Sequence, residues 1–244
     1  MPGEEVEIRP CHAVAEFEQM VELESKVWSF DDGDLVPSQM YVVAAKIGGQ
    51  AIGAFAGRKM VGFVLAYPGI RDGKAYLHSH MAAVLPEFRE LGIGRRLKLA
   101  QREDALSRGI SQIEWTFDPL QAKNAYFNIC RLGAVAGTYL GDFYGATTSP
   151  LHAGLPTDRL LAEWRLRSDR VKNILRGIQP AKAKISERVE IVLEGPLSGA
   201  IAAAQSHARQ RFQELFARGY VVTWFERNAQ GGAYVLEPSP VSGV

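Results

Sequence analysis

Apolar residues recur along this chain at two spacings, and the changes between them mark out its elements. Val6 to Arg9 reads as a short strand. In the segment after it, Val14, Phe17, Val21 and Trp28 return close to every 3.6 residues with acidic residues between them, the pattern of an amphipathic helix. Pro37, tolerated in a first helical turn, and the pair Gly48-Gly49 bound a second helix. Ala51 to Ala56 and Val61 to Tyr67 flank a turn at Gly57-Arg58-Lys59. They predict an antiparallel hairpin whose second strand is apolar enough to lie centrally in a sheet. Pro68 to Gly73 reads as a turn segment, and Tyr76 to Leu85 as a strand with His78 and His80 on one face.

Ile93, Leu97 and Ala100 form the stripe of a third helix ending near Gly109, with Arg95, Arg96, Lys98 and Arg102 on its outer surface. Gln112 to Phe117 is the next strand. Alternation puts Ile113, Trp115 and Phe117 on one face and Glu114, Thr116 and Asp118 on the other, before Pro119 ends it. A short helix spans Gln121 to Leu132 and stops at Gly133; Ala134 to Tyr139 and Arg159 to Leu166 are strand candidates, with loop-like sequence from Gly141 to Pro156. The order β-α-α-β-β-β-α-β-α-β-β fills residues 1–168 as one domain. Residues 169–244 hold a strand at Val189 to Leu193, a long helix from Leu197 to Arg218 and a hairpin from Tyr220 to Leu236. They read as a C-terminal α/β extension packing on or completing the first domain. The fold class is α/β of the α+β kind, and no fixed-period repeat is present.

Composition narrows the partners. The 28 Lys and Arg nearly balance the 27 Asp and Glu, a net charge of +1, which argues against a nucleic-acid partner held through phosphate charge. With 47% hydrophobic residues in 244, the chain can bury a sizeable core. Its two cysteines, Cys11 and Cys130, lack metal or disulfide spacing, and the five histidines form no zinc motif, so no metal is expected. The start MPGEEVEIRP is acidic where a signal peptide is basic and then apolar, and no stretch has the length of a membrane span, so a cytoplasmic protein without a membrane partner is expected.

The strongest local signal is Arg89-Glu90-Leu91-Gly92-Ile93-Gly94 between a strand and a helix. A helix N-terminus offers unpaired N–H groups and partial positive charge, and Gly92 and Gly94 let a phosphate approach the backbone. The third glycine of a dinucleotide fingerprint and the Lys-Ser/Thr of a Walker loop are both missing.

This segment and the element order around it resemble the GNAT acyltransferases, acetyl-CoA-dependent enzymes whose strongest motif is (Q/R)xxGx(G/A). The resemblance covers about Val6 to Leu166. It implies a GNAT-type mixed, mostly antiparallel central sheet flanked by helices, and an acyl-CoA N-acyltransferase acting on an amine by direct attack in a ternary complex. It further implies that backbone amides of Glu90, Leu91, Gly92, Ile93, Gly94 and Arg95 hold the pyrophosphate and that Arg89 shapes the loop. The pantetheine arm would pair with the strand at Ala82, Ala83 and Val84. Arg95, Arg96 and Lys98 are candidates for the adenosine phosphates, and Asn124 and Asn128 for hydrogen bonds to the cofactor arm or acceptor.

For the base, Glu114 stands where many members keep a carboxylate, and His78 and His80 titrate near neutrality and share a strand face. The family's usual acid is a tyrosine four residues before the glycine ending the fourth helix, which here is Ile129. Tyr126 is the nearest tyrosine, and Tyr139 and Tyr144 follow. Cys130 reads as packing. The acceptor reads as a small amine such as an amino acid, and a homodimer is one candidate assembly. A non-catalytic CoA-binding regulatory protein is the alternative.

Overall fold

The computed structural model describes residues 5–29, 34–145, 155–181, 185–192, 197–228 and 231–239. The chain divides into two compact units, with the boundary inside a strand, between Glu114 and Trp115.

The first unit runs β1 (Val6–Pro10), α1 (Val14–Trp28), α2 (Ser38–Lys46), β2 (Gln50–Ala56), β3 (Lys59–Arg71), β4 (Lys74–Val84), α3 (Ile93–Ser107) and the start of β5 (Gln112–Phe117). The strands lie in the order β1-β2-β3-β4-β5. Pairing is antiparallel up to β4, and β5 then pairs with β4 in parallel at only two rungs, Leu77 with Ile113 and His78 with Glu114. Helices cover both faces. Phe63 meets Tyr41 of α2 edge-on at 5.9 Å, whereas a Cβ at its neighbour Gly62 would point at Leu97 of α3. Strand alternation thus assigns α2 and α3 to opposite faces. The stripe that α1 buries is Phe17, Met20 and Leu23, while Val14 at its first turn is exposed.

Two features of this unit depart from the sequence expectation. Pro68 to Arg71 continues β3 instead of turning, paired with Lys74 to Leu77, so the turn shrinks to Asp72-Gly73. Tyr76 explains this: its ring lies where a side chain at Gly69 would stand, filling the sheet surface beside a residue that has none. In β4, Met81 pairs with Leu65 and Ser79 with Ala66, leaving His80 as the extra residue of a β-bulge.

Lys98 is the second departure in kind. It is not on the outer face of α3 but buried, its Nζ donating to Ser79 Oγ at 3.0 Å. Ser79 in turn donates to Gln101 Oε1, and Gln50 Nε2 bonds the Gln101 carbonyl and Asp104. Lys98 follows Leu97 on the helix surface, so the stripe facing the sheet is wider than the apolar residues alone suggest.

The second unit contains the end of β5, α4 (Ala122–Ala125), a π-helical turn (Tyr126–Arg131), β6 (Val135–Leu140), β7 (Arg159–Arg165), α5 (Asp169–Leu175), β8 (Glu187–Val192), α6 (Leu197–Ala217), β9 (Tyr220–Asn228) and β10 (Gly231–Pro238). Its strand order is β7-β6-β9-β10-β8, with antiparallel pairing in each of these ladders. The expected single helix from Gln121 to Leu132 is one α turn followed by the π turn. α5 was not expected: its seven residues are too few for a visible period, although Ser168 caps it by accepting from the Val171 N–H. The core joins Trp115 to Trp164 edge-on and sets Phe212 and Phe225 edge-on against Tyr234. Arg170 of α5 donates to the carbonyls of Gly133, Ile129 and Thr223, tying the π turn to β9. Cys130 packs here with its sulfur against the Phe225 backbone, and burial pushes its thiol up to about 11. The expected loop at Gly141 to Pro156 is described only at its ends, residues 146–154 lying outside the described residues. Among the described residues no helix is long and apolar enough to cross a membrane.

Burial pushes Lys98 down to about 7, against about 10.4 for an unfolded lysine. Between those values the unfolded chain binds the extra proton, so this residue's contribution to stability rises with pH. Denaturant unfolding of wild type and Lys98→Met at pH 7 and pH 10 is expected to show the stability difference moving toward wild type by a few kcal/mol, roughly. A difference that stays constant with pH would show that Lys98 titrates normally.

Candidate active site

The parallel pairing of β4 with β5 brings three side chains to one row. Tyr67 of β3 pairs with His78 of β4, and His78 pairs with Glu114 of β5. Paired residues share a face, so Tyr67, His78 and Glu114 stand on the same side of the sheet. His80 lies over Tyr67 at 5.8 Å between rings and 6.4 Å from the His78 ring. His78 Nδ1 is 3.6 Å from Glu114 Oε1.

Glu114 is almost fully buried and holds its charge through Arg71. The guanidinium donates to both carboxylate oxygens, at 2.8 and 3.1 Å, in a bidentate pair. Burial alone would raise the Glu114 carboxyl, but the nearby His78 imidazole and the bonds and charge of Arg71 outweigh it and keep the group below the ordinary carboxylate range. Burial, helped by His78, pushes the His80 imidazole down, which favours its neutral form. Arg71 itself lies against the Tyr76 ring, 4.6 Å from its centroid.

Farther along the same face, α1 and α2 bury a second acid. Glu24 accepts from Tyr41 Oη at 2.8 Å and from the Val36 N–H through both oxygens at 3.2 Å. Burial still raises its carboxyl above the usual range despite these bonds. Tyr41 Oη also stands 3.8 Å from Met81 Sδ, linking the pair to β4.

At the other end of β4, Leu85 leads through a short 3-10 turn into Arg89, whose Nε donates to the Val84 carbonyl at 3.2 Å. Gly92 is left-handed at the N-cap of α3, with no side-chain cap on the helix and open space where its Cβ would be. Glu90 is also left-handed, at φ 69°, a costly backbone for a residue with a side chain. The cradle therefore suits a phosphate: uncapped helical amides, a glycine at the closest approach and room before them. Ala82 is exposed on β4, Ala83 is buried and Val84 is half-buried toward Gly94. Of the three basic candidates for adenosine phosphates, Lys98 points inward, Arg96 Nη2 donates to the Val6 carbonyl at 2.6 Å, and Arg95 is half-buried.

The remaining candidates belong to the second unit. Tyr126 opens the π turn, half-buried, with the Arg227 guanidinium 4.6 Å from its ring centroid. Asn124 is exposed, Asn128 is buried, and Ile129 is fully buried. Tyr139 donates to the buried carboxylate of Asp158 at 2.7 Å, and burial with that carboxylate pushes its phenol far up, which makes it a poor proton donor to anything else. Tyr144 is exposed and its hydroxyl lies 2.9 Å from Thr116 Oγ1. Among the described residues, no cluster of His, Cys, Asp or Glu is arranged to hold a metal ion.

Sequence reasoning missed Arg71, Tyr67 and the Glu24–Tyr41 pair. The signal for Arg71 was Glu114 itself: a carboxylate in an otherwise apolar strand needs a cationic or donor partner.

The model of the Acetyltransferase (GNAT) family matches residues 9–129, which include the row, the loop and Tyr126. Comparison with curated protein sequences finds no match. Solved structures share the fold. Aminoglycoside 6'-acetyltransferase type Ii is 19% identical with a TM-score of 0.53, over 66% of this chain and 98% of that one. The ribosomal-protein-S18-alanine N-acetyltransferase of Escherichia coli is 15% identical with a TM-score of 0.52, over 67% and 96%. Naa50 of Arabidopsis thaliana, in complex with a CoA-linked bisubstrate analogue, is 14% identical with a TM-score of 0.52, over 65% and 97%. The motif at Arg89 to Gly94, the family match and the shared fold agree: this chain belongs to the GNAT acetyltransferase family.

Proposed function

We propose that this acetyltransferase moves the acetyl group of acetyl-CoA to the amine of a small molecule, by direct attack within a ternary complex. The amide groups from Glu90 to Arg95 take the CoA pyrophosphate, and the β4 edge at Ala82 to Val84 pairs with the pantetheine arm. The observation that carries the reading is the row of Tyr67, His78 and Glu114 beside a bulged His80, on the same strand that leads into the loop.

Direct attack needs a neutral amine. His78 takes the proton from the amine nitrogen, with Glu114 behind its Nδ1 to stabilise the imidazolium that forms. An ion-paired carboxylate is a weak base, which argues for Glu114 as the orienting group and His78 as the base. The amine lone pair forms the C–N bond, the C–S bond breaks, and the sulfur leaves with its electron pair and takes a proton from solvent. The near-neutral charge of the chain supports a small acceptor over a polyanionic or polycationic one.

Acetyl-CoA and CoA are expected to raise the melting temperature while NAD does not, since a ligand that binds the folded state stabilises it. Gly94→Val should lower CoA affinity by about tenfold or more without unfolding the protein, because a side chain there meets only Val84, at 3.9 Å, yet projects into the phosphate cradle. Unaltered CoA affinity in that variant would make the loop a simple turn.

His78→Asn should lower kcat by roughly 10²- to 10⁴-fold and remove the acid limb of its pH profile. Glu114→Gln should lower kcat less and leave the KM for acetyl-CoA nearly unchanged. If Glu114→Gln, and not His78→Asn, removes the acid limb, the roles are reversed.

A further inference from the structure

Arg71 and His78 address the same carboxylate, and Arg71 holds it more closely. Its nitrogens stand 2.8 and 3.1 Å from the two oxygens of Glu114, within hydrogen-bond range, while His78 Nδ1 stands at 3.6 Å, beyond it. The two basic groups also differ in access. The Glu114 side chain is 4% exposed and the Arg71 side chain 51%, so an anion arriving from solvent meets Arg71 first. The Tyr76 ring flanks the guanidinium, its centroid 4.6 Å from the guanidinium carbon. A held, half-exposed guanidinium with a fork that accepts a carboxylate is a recognition element for carboxylates.

We infer that Arg71 selects acceptors that carry a carboxylate close to the reacting amine, the acceptor carboxylate taking the place of Glu114 on the guanidinium and leaving Glu114 to His78. The inference rests on the reading of His78 as base with Glu114 behind it. As His78 takes the amine proton, the new imidazolium needs a full counter-charge in a largely buried setting. While Arg71 is paired with Glu114, that charge is shared between two cations. An acceptor that brings its own carboxylate satisfies Arg71 and restores one carboxylate to each cation. Because Arg71 and His78 approach one carboxylate group from adjacent directions, the amine and the carboxylate of the acceptor must lie close together. That describes an α- or β-amino acid and excludes an internal residue of a peptide or a simple alkylamine.

Steady-state kinetics with acetyl-CoA test this on two matched series, free amino acids and the corresponding carboxamides, with rates referred to the neutral-amine fraction. Wild type is expected to favour the acids by about tenfold or more in kcat/KM, the size of a charge-assisted hydrogen-bonded pair at a half-exposed site. Arg71→Met should bring the ratio close to one, and Arg71→Lys should restore part of it. Binding of the non-reacting pair, acid and amide, to the protein saturated with free CoA should show the same loss of preference. Retained thermal stabilisation by CoA establishes that Arg71→Met is folded. A wild-type ratio near one, or a ratio unchanged in Arg71→Met, overturns the inference alone. Turnover of neither series by wild type, with CoA still stabilising the protein, overturns the small-amine reading and this inference together.

Discussion

The two-rung parallel contact between β4 and β5 is the constraint on which the site depends. Parallel strands need a crossover between them, and here α3 supplies it, so the strand carrying the histidines and the strand carrying Glu114 are joined by the helix whose N-terminus forms the phosphate cradle. One connection thereby builds both halves of the chemistry. The second rung pairs His78 with Glu114 through the backbone, and their separation is a property of the sheet more than of either side chain. The β-bulge at His80 begins just past that rung, and it turns a second imidazole toward Tyr67.

Around that contact the first unit arranges two buried polar clusters on opposite faces of the sheet. On the α1 and α2 face lie Glu24 and Tyr41, then His80, His78 and Glu114. On the α3 face Ser79 receives Lys98, with Gln101, Gln50 and Asp104 following. Ser79 sits between the two histidines in sequence, so one strand segment only three residues long serves both clusters. Polar groups are expensive to bury, and the bonds that Glu24 accepts from Tyr41, Glu114 from Arg71 and Ser79 from Lys98 offset part of that cost around β4, where pairing with β5 is short.

Much of this was legible in the residues. The bounds of β5 came out as read, from Gln112 to Phe117, because Pro119 and the alternation around Trp115 leave no other choice. The loop at Arg89 to Gly94 was readable because glycine spacing reports backbone geometry directly. What failed depended on tertiary partners. Pro68 and Gly69 look like a turn until Tyr76 supplies the surface that Gly69 lacks. Lys98 looks like a solvated helix residue until Ser79 and Gln101 are brought beneath it. The π turn at Tyr126 to Arg131 has no local signature, and its freed carbonyls are satisfied by Arg170, a residue about forty positions away in the chain. Counting back from Gly133 to find the acid assumes α-helical spacing, and that assumption fails over these residues.

Arg170 also decides when the chain is complete. Its guanidinium gathers the carbonyls of Ile129 and Gly133 with that of Thr223, and the neighbouring Cys130 leans on the backbone of Phe225. β9 further takes its place beside β6, pairing Val222 with Ala136. As the protein is synthesised, the helical turn bearing Tyr126 leaves the ribosome nearly a hundred residues before the strand that holds it. Until then, Arg170 lacks the Thr223 carbonyl that links it to β9, and Cys130 has no backbone to lean on. The order of synthesis thus delays the finished form of this turn until the last strands have emerged, and a chain that ends early carries the phosphate loop without the support built for its later helix.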